Sequence, residues 1–569
     1  MKKIYLVLIA LVGISVSCSD EFTNVDPIGS LNDTQLANPT GVDLLLTGAY
    51  SVLDGVRNGG IGNGWGRSAD NWVADVASDD AHKGSTDGDQ PDLYELELYN
   101  WQTGNGYFMA RWEVLFAGVN RANAVINLIA DSDDPTAFTV EKAQAHFLRA
   151  HYNFELMRHF KYVPNITPET AKANEYNLSN VDAATALTYE LIAAEFLLAH
   201  ADLPAARSAA YSQAGRPLQR TAQAYLGKVF LYAKDYTNAL VHLDAVVASG
   251  EYSLHANIND NFRSSTENIN EAMFAIQYSA DDGQVKQGNA TGALNYPAAF
   301  GWCCGFYQPT QDLVDAFRTD ADGLPLLTSF QDAANDVMNH DYNVAAEDLT
   351  YALPTVNVDK RLDYTIGRRG VDYNGYGAHA GKGWIRANTS DISGPYLPKK
   401  NIYQADDTAN HGAGGWGQNL SGINYHIMRY ADVVLMAAEA AVETGNLEKA
   451  RTYVNLIRAR AESMPAVAGV TNAVTKQYNA TWTDASVARL AVRFERRLEL
   501  AMEGHRYFDL VRYGGMPAHM AKYITNEGRT ITSFGSKNAV FQAKHTAYPI
   551  PLSAIDLSGN ALQQNPDHN

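Results

Sequence analysis

Apolar residues recur at intervals of three and four through residues 425–461. This spacing is typical of amphipathic helices, in which one face is buried and the other meets water. Gly445 can adopt the left-handed conformation that ends a helix, and Asn446 can cap the helix that follows. The pattern therefore predicts a hairpin of two packed helices, the first starting at Tyr425 and the second ending at Ala461.

The same unit occurs earlier in the chain, at residues 221–247. In both units the second helix opens with a capping residue, an apolar residue, two polar residues and an alanine, at 235–239 and 446–450. This repetition suggests helix pairs of the tetratricopeptide type, although the usual 34-residue period is absent. Because the two units lie far apart in the sequence, we expect the fold to bring them together.

Helical periodicity marks several further segments, whereas the middle of the chain lacks it. The further helical segments are Gly41–Val56, Tyr107–Ile129, Val140–Phe160, Val181–His200 and Val492–Tyr513. Residues 255–420 are instead dense in Gly, Pro, Asn, Asp and Tyr. Binding residues tend to lie on such loops, which a rigid scaffold positions. The sequence thus predicts a mostly α fold in which a helical scaffold carries an irregular lobe.

These changes in pattern divide the chain into successive regions. The predicted regions are a leader at 1–17, a tether at 18–40, a helical scaffold at 41–254 with a loop insertion at about 57–106, an irregular lobe at 255–420, and a C-terminal region at 421–569 that contains a helical hairpin, a charged helix and an extended tail.

The first eighteen residues predict export and lipidation. Lys2 and Lys3 precede an apolar run, residues 4–14, that is too short to span a bilayer. Cys18 follows small residues, as at a bacterial lipoprotein cleavage site, and Ser19-Asp20-Glu21 resembles a signal for display on the outer face of the outer membrane. The alternative is an ordinary secretory leader with an incidental cysteine. No later segment is apolar enough to cross a membrane.

The composition restricts the class of ligand. The formal net charge of the 569-residue chain is −19 at pH 7, which argues against nucleic acids and, more weakly, against other polyanions. Tyrosine outnumbers phenylalanine, 32 to 19, and its apolar ring with a polar tip suits interfaces and sugar faces as well as cores.

Cys303 and Cys304 are adjacent, and Cys18 is the only other cysteine in the sequence. Two neighbouring cysteines cannot form a disulfide scaffold, so the stability of the fold must rest on packing. The pair either fills a tight loop or shapes a ligand-binding loop, since Trp302 precedes it and Tyr307 follows shortly after.

The charged segment Val492–Tyr513 interleaves acidic and basic residues three or four positions apart, so that opposite charges are expected to meet on a helix surface. A catalytic general acid needs a raised pKa in a desolvated cleft, whereas a carboxylate beside an arginine is held ionised. We therefore interpret Glu495, Glu499 and Glu503 as structural ion-pair partners.

A set of short motifs, weak singly but specific in number and order, resembles the SusD/RagB family of outer-membrane lipoproteins over essentially the whole chain. The motifs are Cys18-Ser19-Asp20, Asp79-Asp80-Ala81, residues 145–150, residues 428–435, Ala438-Glu439-Ala440, residues 495–500, residues 506–510, Pro549-Ile550-Pro551 and Gln564-Asn565-Pro566. The resemblance implies four tetratricopeptide-like helix pairs in a right-handed scaffold and an irregular ligand lobe. It also implies a SusC-type, TonB-dependent barrel as the partner and a glycan, sometimes a peptide, as the cargo.

Candidate binding residues follow from the chemistry of a sugar, whose ring has an apolar face and a rim of hydroxyl groups. Aromatic side chains can cover the face, while polar side chains bind the rim. The candidate platforms are Trp65, Trp302, Tyr307 and Trp384, and the candidate hydrogen-bonding residues are Asp79, Asp80, Arg368 and Tyr396. The alternative for Asp79 and Asp80 is that they only pin their own loop.

We expect a non-catalytic protein that captures a neutral oligosaccharide and delivers it to its transporter. The alternatives are a peptide-binding lid of the same architecture and a surface glycoside hydrolase, but HExxH and GxSxG motifs are absent. We expect no cofactor. Asp87-Gly88-Asp89 and residues 320–323 offer oxygen ligands for calcium, yet neither completes an EF-hand loop.

Overall fold

Packed helix pairs form the back of the molecule. The computed structural model describes residues 36–55, 64–280, 288–332, 341–346, 348, 350–386, 392–414 and 419–568. The longer helices are α1 (Pro39–Tyr50), α2 (Gly106–Ala130), α3 (Thr139–Phe160), α4 (Tyr189–Asp202), α5 (Gln219–Tyr232), α6 (Tyr236–Ala248), α7 (Tyr430–Glu443), α8 (Leu447–Ser463), α9 (Ala485–Leu500), α10 (Arg506–Tyr513) and α11 (Met516–Glu527). Shorter helices lie at Trp72–Asp75, Pro91–Glu97, Pro168–Lys172, Gln311–Ala316, Leu362–Thr365, Thr532–Ser536 and Leu552–Leu557.

The helices pack as four successive pairs, α1 with α2, α3 with α4, α5 with α6, and α7 with α8. Each pair also packs on the next through α2 and α3, α4 and α5, and α6 and α7. The last of these contacts brings the two repeat units together although the irregular lobe lies between them in sequence. The predicted mostly α fold with four tetratricopeptide-like pairs is confirmed.

Helices α2 and α3 approach closely because Gly118 has no side chain. A Cβ atom at Gly118 would lie 2.5 Å from ring atoms of Tyr152 on α3. The Tyr152 hydroxyl in turn donates a hydrogen bond of 2.7 Å to the carbonyl oxygen of Ala49 on α1. One small residue thus allows a large aromatic side chain to link three helices.

The prediction of a helix from Tyr425 is wrong at its start. Tyr425–Arg429 forms a strand, and α7 begins only at Tyr430. The strand pairs antiparallel with Ala272–Ile276, a partner distant in sequence, and the Tyr430 N–H continues the contact by donating to the carbonyl oxygen of Glu271 at 2.9 Å. Tertiary pairing therefore overrides the local helical pattern.

Two other predicted helices have different bounds. Residues 181–188 are irregular, and α4 starts at Tyr189 because the Thr188 side chain caps it there. The segment predicted as one helix over Val492–Tyr513 is two helices, α9 and α10. Met502 and Gly504 between them adopt positive φ angles of 62° and 74°, which no helix interior accommodates.

The strands of the described residues form four two-stranded antiparallel sheets. The strands are β1 (Ala81–Gly84), β2 (Ala272–Ile276), β3 (Phe306–Pro309), β4 (Ile366–Gly367), β5 (Leu397–Pro398), β6 (His411–Ala413), β7 (Asn419–Ser421) and β8 (Tyr425–Arg429). The pairs are β1 with β3, β2 with β8, β4 with β5, and β6 with β7. Most of these strands belong to the irregular lobe, where they hold loops in place.

Buried ion pairs join the lobe to the scaffold. Arg429, at the end of β8, contacts Glu271 at 2.9 Å, Glu499 at 2.7 Å and Glu503 at 2.8 Å, and all four side chains are buried. Burial alone would raise the pKa of Glu503, but Arg429 and Lys400 lower it to about 2. Glu499 and Glu503 are structural partners of arginines, as interpreted from the sequence, and so is Glu495, which pairs with Arg361 and Arg458. All three lie inside the molecule and not on a helix surface.

The C-terminal segment lies along α3. The Tyr548 N–H donates to the carbonyl oxygen of His159 at 2.7 Å, and the Asn565 side chain donates to that of Phe160 at 3.0 Å. Within the described part of the chain, every helix is too short or too polar to cross a bilayer. Cys18 and the predicted leader lie outside the described residues.

Candidate ligand-binding surface

Four aromatic side chains of the irregular lobe, Phe300, Trp302, Tyr376 and Trp384, meet at the surface and are called here the aromatic surface. The Phe300 ring lies 4.9 Å from Trp302, 5.0 Å from Tyr376 and 4.8 Å from Trp384, between ring centroids. Phe300 is 43% exposed, and the other three are partly exposed. This group is an apolar, water-accessible patch made from segments that are distant in sequence.

The backbone at Phe300 is strained. Its φ angle is +64°, in the left-handed region that a bulky residue seldom adopts, and Gly301 follows at +77°. Such a conformation costs on the order of 1–3 kcal/mol and persists only where its surroundings impose it, which is common at functional sites. The strain turns an apolar ring outward at the centre of the aromatic surface.

A small second core supports the aromatic surface from below. It consists of Tyr296, Tyr373, Ile385, Leu397, Ile402 and Tyr403, separate from the large core of the scaffold. The Trp302 ring packs edge-on against Tyr296 at 5.7 Å and Tyr403 at 5.5 Å. Because these two tyrosines are buried, they hold the exposed tryptophan in one orientation.

Polar groups border the aromatic surface. The carboxylate of Asp372 accepts hydrogen bonds from the N–H groups of Gly375 and Gly377, at 2.8 and 3.2 Å, and so fixes the turn that carries Tyr376. The Tyr376 hydroxyl lies 3.5 Å from Nε2 of His411, whose ring stacks on Tyr403. A phenol and an imidazole with partial exposure can exchange hydrogen bonds with hydroxyl groups of a ligand.

A basic group lies next to Trp384 in the same short helical turn. Partial burial lowers the pKa of Lys382, and the nearby carboxylate of Asp341 opposes that shift. Asp341 also accepts a 2.7 Å hydrogen bond from Arg369. Asp341 is itself buried, so the rim offers the amine of Lys382 together with the Tyr376 hydroxyl and the His411 ring around an apolar centre. Such an arrangement suits a ligand with an apolar face and a polar edge.

Of the eight predicted binding residues, Trp302 and Trp384 lie together on the aromatic surface. Two others, Asp79 and Asp80, lie away from the aromatic surface. Both carboxylates are fully buried and contact Arg497, and Asp79 also pairs with Arg506. Burial alone would raise the pKa of Asp79, but the two arginines hold it well below its usual range. These aspartates pin their loop, which was the alternative interpretation.

Four further predicted residues are also interior. The Tyr307 hydroxyl donates to Asp75 at 2.7 Å, the Tyr396 hydroxyl donates to Gln311 at 2.7 Å, and Arg368 pairs with Asp363 at 2.6 Å. Trp65 is 4% exposed and belongs to the large core. The tyrosines point inward because their hydroxyls find buried partners, which sequence spacing could not indicate.

Sequence reasoning missed Phe300 as a binding candidate and did not single out Tyr376 as one. Phe300 stands two residues before Trp302, with Gly301 between them, so the aromatic-Gly-Trp spacing was the available signal. Tyr376 lies between two glycines, Gly375 and Gly377, a pattern that marks an exposed turn.

Cys303 and Cys304 are joined in a disulfide directly after Trp302. Both cysteines pack on the large core, and they adjoin Trp302 of the aromatic surface, so a loop filler and a shaper of a ligand loop both stay predictions.

Some of the residues considered as calcium ligands have hydrogen-bond partners within the protein. Asp89 accepts from Arg386 at 2.6 Å, and Asp320 accepts from backbone N–H groups of its own turn. Among the described residues, no three His, Cys, Asp or Glu side chains are grouped to hold a metal.

Comparison with protein families gives two matches that together span most of the chain. The SusD family model matches residues 270–568. A second model, described as starch-binding associating with outer membrane, matches residues 42–231. The first match covers more than half of the chain and includes the aromatic surface, while the second covers the first two helix pairs and α5, the first helix of the third pair.

Individual proteins of known sequence or structure are similar to this chain over nearly its full length. SusD-like protein P2 of Formosa agariphila is 26% identical over 526 residues, 90% of this chain and 91% of the relative. A SusD-like carbohydrate binding protein from Bacteroides fragilis has a TM-score of 0.68 at 23% identity, with 93% of this chain and 99% of that chain covered. A laminarin binding SusD-like protein has a TM-score of 0.62 at 21% identity, with the same coverage.

Proposed function

The chain belongs to the SusD family, and we propose that it is a cell-surface lipoprotein that captures an oligosaccharide and delivers it to a SusC-like, TonB-dependent transporter. Capture takes place on the aromatic surface, and no bond of the ligand is broken. Cys18 carries the lipid that tethers the protein to the outer membrane. The observation that carries the proposal is the exposed cluster of Phe300, Trp302, Tyr376 and Trp384 on a rigid helical back.

The arrangement of rings favours a sugar as the ligand. Each aromatic face can cover the C–H face of a pyranose or furanose ring, and buried aromatic side chains contribute strongly to binding. Phe300 and Tyr376 lie within 36° of parallel, whereas Trp302 stands at 90° to Tyr376. The four rings therefore do not form one flat platform.

The charge of the protein favours a neutral glycan. A formal net charge of −19 repels polyanions at long range. A neutral glucan such as laminarin, which a structurally similar protein binds, is therefore the first ligand to test.

Capture without chemistry agrees with the position of Asp75, a carboxyl group with a raised pKa. Burial raises the pKa of Asp75 to about 7, a value that would suit a general acid. However, Asp75 is 1% exposed and is held by Tyr307 and by the Gly504 N–H inside the scaffold. It is not placed to protonate a glycosidic oxygen on the aromatic surface.

The test is a binding screen of the purified mature protein against neutral glycans, acidic glycans and oligopeptides. We expect saturable binding to a neutral glycan with no new reducing ends after prolonged incubation. Saturable binding of peptides alone would show that the cargo is a peptide and not a glycan. Release of new reducing ends would show that the protein is a hydrolase. Delivery is tested by co-purification of the tagged protein from its own outer membrane, where we expect a SusC-like, TonB-dependent transporter to be retained with it.

A further inference from the structure

The disulfide joins two adjacent residues, Cys303 and Cys304, directly after Trp302 in the loop that carries Phe300 and Trp302. Cys304 lies at the inner end of this loop and is 8% exposed, whereas Cys303 is partly exposed. The pair lies between the aromatic surface and the underlying fold. A covalent link at this position acts directly on the backbone that presents the Trp302 ring.

The loop is tied to the neighbouring segment at its inner end. The Cys304 N–H donates to the carbonyl oxygen of Leu294 at 3.0 Å, and the Gly305 N–H donates to that of Tyr296 at 2.8 Å. The Trp302 N–H donates at 3.2 Å to Ala299, which belongs to the same loop. Backbone hydrogen bonds thus anchor Cys304 and Gly305 to residues 294–296, and Trp302 is joined to this anchored end through Cys303.

We propose that the Cys303–Cys304 disulfide is a positioning element of the aromatic surface, so that ligand affinity depends on its redox state. This inference rests on the proposed function. With the bond closed, the two residues lose backbone freedom, and Trp302 is held ready to bind. With the bond open, the loop gains conformations that must be given up again when a ligand binds, which weakens binding.

The redox step is a simple thiol–disulfide exchange. A dithiol reductant supplies two electrons and two protons, the bond between the two sulfur atoms breaks, two cysteine thiols form, and the reductant becomes a cyclic disulfide. The partly exposed Cys303 is the sulfur that an attacking thiolate can reach. Cys18 is the only other cysteine in the sequence, so the pair has a single alternative partner, which lipidation of Cys18 would remove.

The first arm of the test needs no ligand. Hydrogen exchange of the peptide 299–305 is compared between oxidised protein, protein treated with dithiothreitol, and the double variant Cys303→Ser/Cys304→Ser. We expect exchange at least about tenfold faster in the last two samples, while residues 437–441 in α7 stay equally protected and report an intact fold. Unchanged exchange of 299–305, or alkylation of both cysteines before reduction, would overturn the proposal.

The second arm measures binding of laminarin, or of the neutral glycan found in the screen, by titration calorimetry on the same three samples. We expect a five- to twentyfold loss of affinity when the bond is open, on the order of the backbone freedom of one residue that binding must then remove. Equal affinity despite faster exchange would overturn the redox dependence. If the oxidised protein binds no glycan, the proposed function fails and the affinity claim fails with it, while the exchange data separately decide whether the disulfide positions the loop.

Discussion

The guanidinium of Arg506 donates hydrogen bonds to both carboxylate oxygens of Asp79, at 2.7 and 2.8 Å, across 427 residues of sequence. Arg506 is the first residue of α10, and Asp79 lies in the turn before β1. The two side chains are nearly excluded from water. This contact fastens an early loop to the C-terminal helices, and it explains a short acidic motif that from sequence alone looked like part of a ligand site.

Removal of the Asp79 carboxylate should destabilise the protein. The variant Asp79→Ala leaves Arg506 buried without its main partner, and breaking one side of a buried pair costs about 3–5 kcal/mol. We expect the free energy of unfolding, measured by urea titration, to fall by that amount. The control is Asp131→Ala, which removes an ion pair with Lys172 that is exposed on both sides and should leave the urea midpoint almost unchanged. Equal stability of Asp79→Ala and the wild type would contradict this account.

Loss of a tryptophan from the aromatic surface should weaken glycan binding. We expect Trp302→Ala or Trp384→Ala to cost ~1–3 kcal/mol of binding free energy, roughly a fivefold to 150-fold rise in Kd. The Kd of each variant is measured by calorimetry with the glycan found in the screen. Trp482 is also partly exposed but packs on Tyr478, away from the aromatic surface, so Trp482→Ala is the matched control with unchanged Kd. An unchanged Kd for Trp302→Ala would exclude Trp302 from the site.

A methyl group at Gly118 should disrupt the first two helix pairs. Its Cβ would meet the Tyr152 ring at 2.5 Å, and overpacking of this kind costs about 1–3 kcal/mol. A Cβ atom at Gly48 in α1 would instead meet no other atom within 4 Å. Gly48→Ala should therefore stabilise the helix by up to ~1 kcal/mol. Thermal unfolding of the two variants should therefore shift Tm in opposite directions. A downward shift for both would mean that helix packing at Gly118 is not the cause.

His82 should make stability depend on pH. The imidazole lies between Glu97 at 2.7 Å and Glu527 at 2.9 Å. Burial alone would lower its pKa, but the hydrogen bonds with Glu527 and Glu97 raise it from 6.5 to about 9. A pKa raised by folding gives stability that is complete below about pH 6.5 and is lost as the pH rises through about 9.

The contribution of His82 is measured as the difference in the free energy of unfolding between the wild type and His82→Gln, whose side chain at this position does not titrate. We expect that difference in unfolding free energy to shrink by ~3 kcal/mol between pH 6 and pH 10. Urea titrations at intervals of one pH unit measure it. Parallel pH profiles for the two proteins would show that His82 is not the titrating group.

Local pattern was sufficient for the helical scaffold. Periods of three and four, the cap at Asp235 and the turn at Gly445 are properties of neighbouring residues, and they located the third and fourth helix pairs within a few positions. The local pattern gave a wrong prediction where a segment pairs with a strand that is distant in sequence. Residues Tyr425–Arg429 have helical spacing but form a strand, because Ala272–Ile276 supplies the matching backbone groups.

The sequence by itself determined the class of fold and the helix pairs, and it predicted the kind of residue that would bind a ligand. Only the tertiary structure decided which aromatic residues face water. Tyr307 and Trp302 lie five positions apart in one aromatic-rich stretch, yet Tyr307 turns inward to the carboxyl group of Asp75 while Trp302 stays at the surface. The direction of a side chain depends on partners that folding brings from elsewhere in the chain, and sequence spacing does not contain that information.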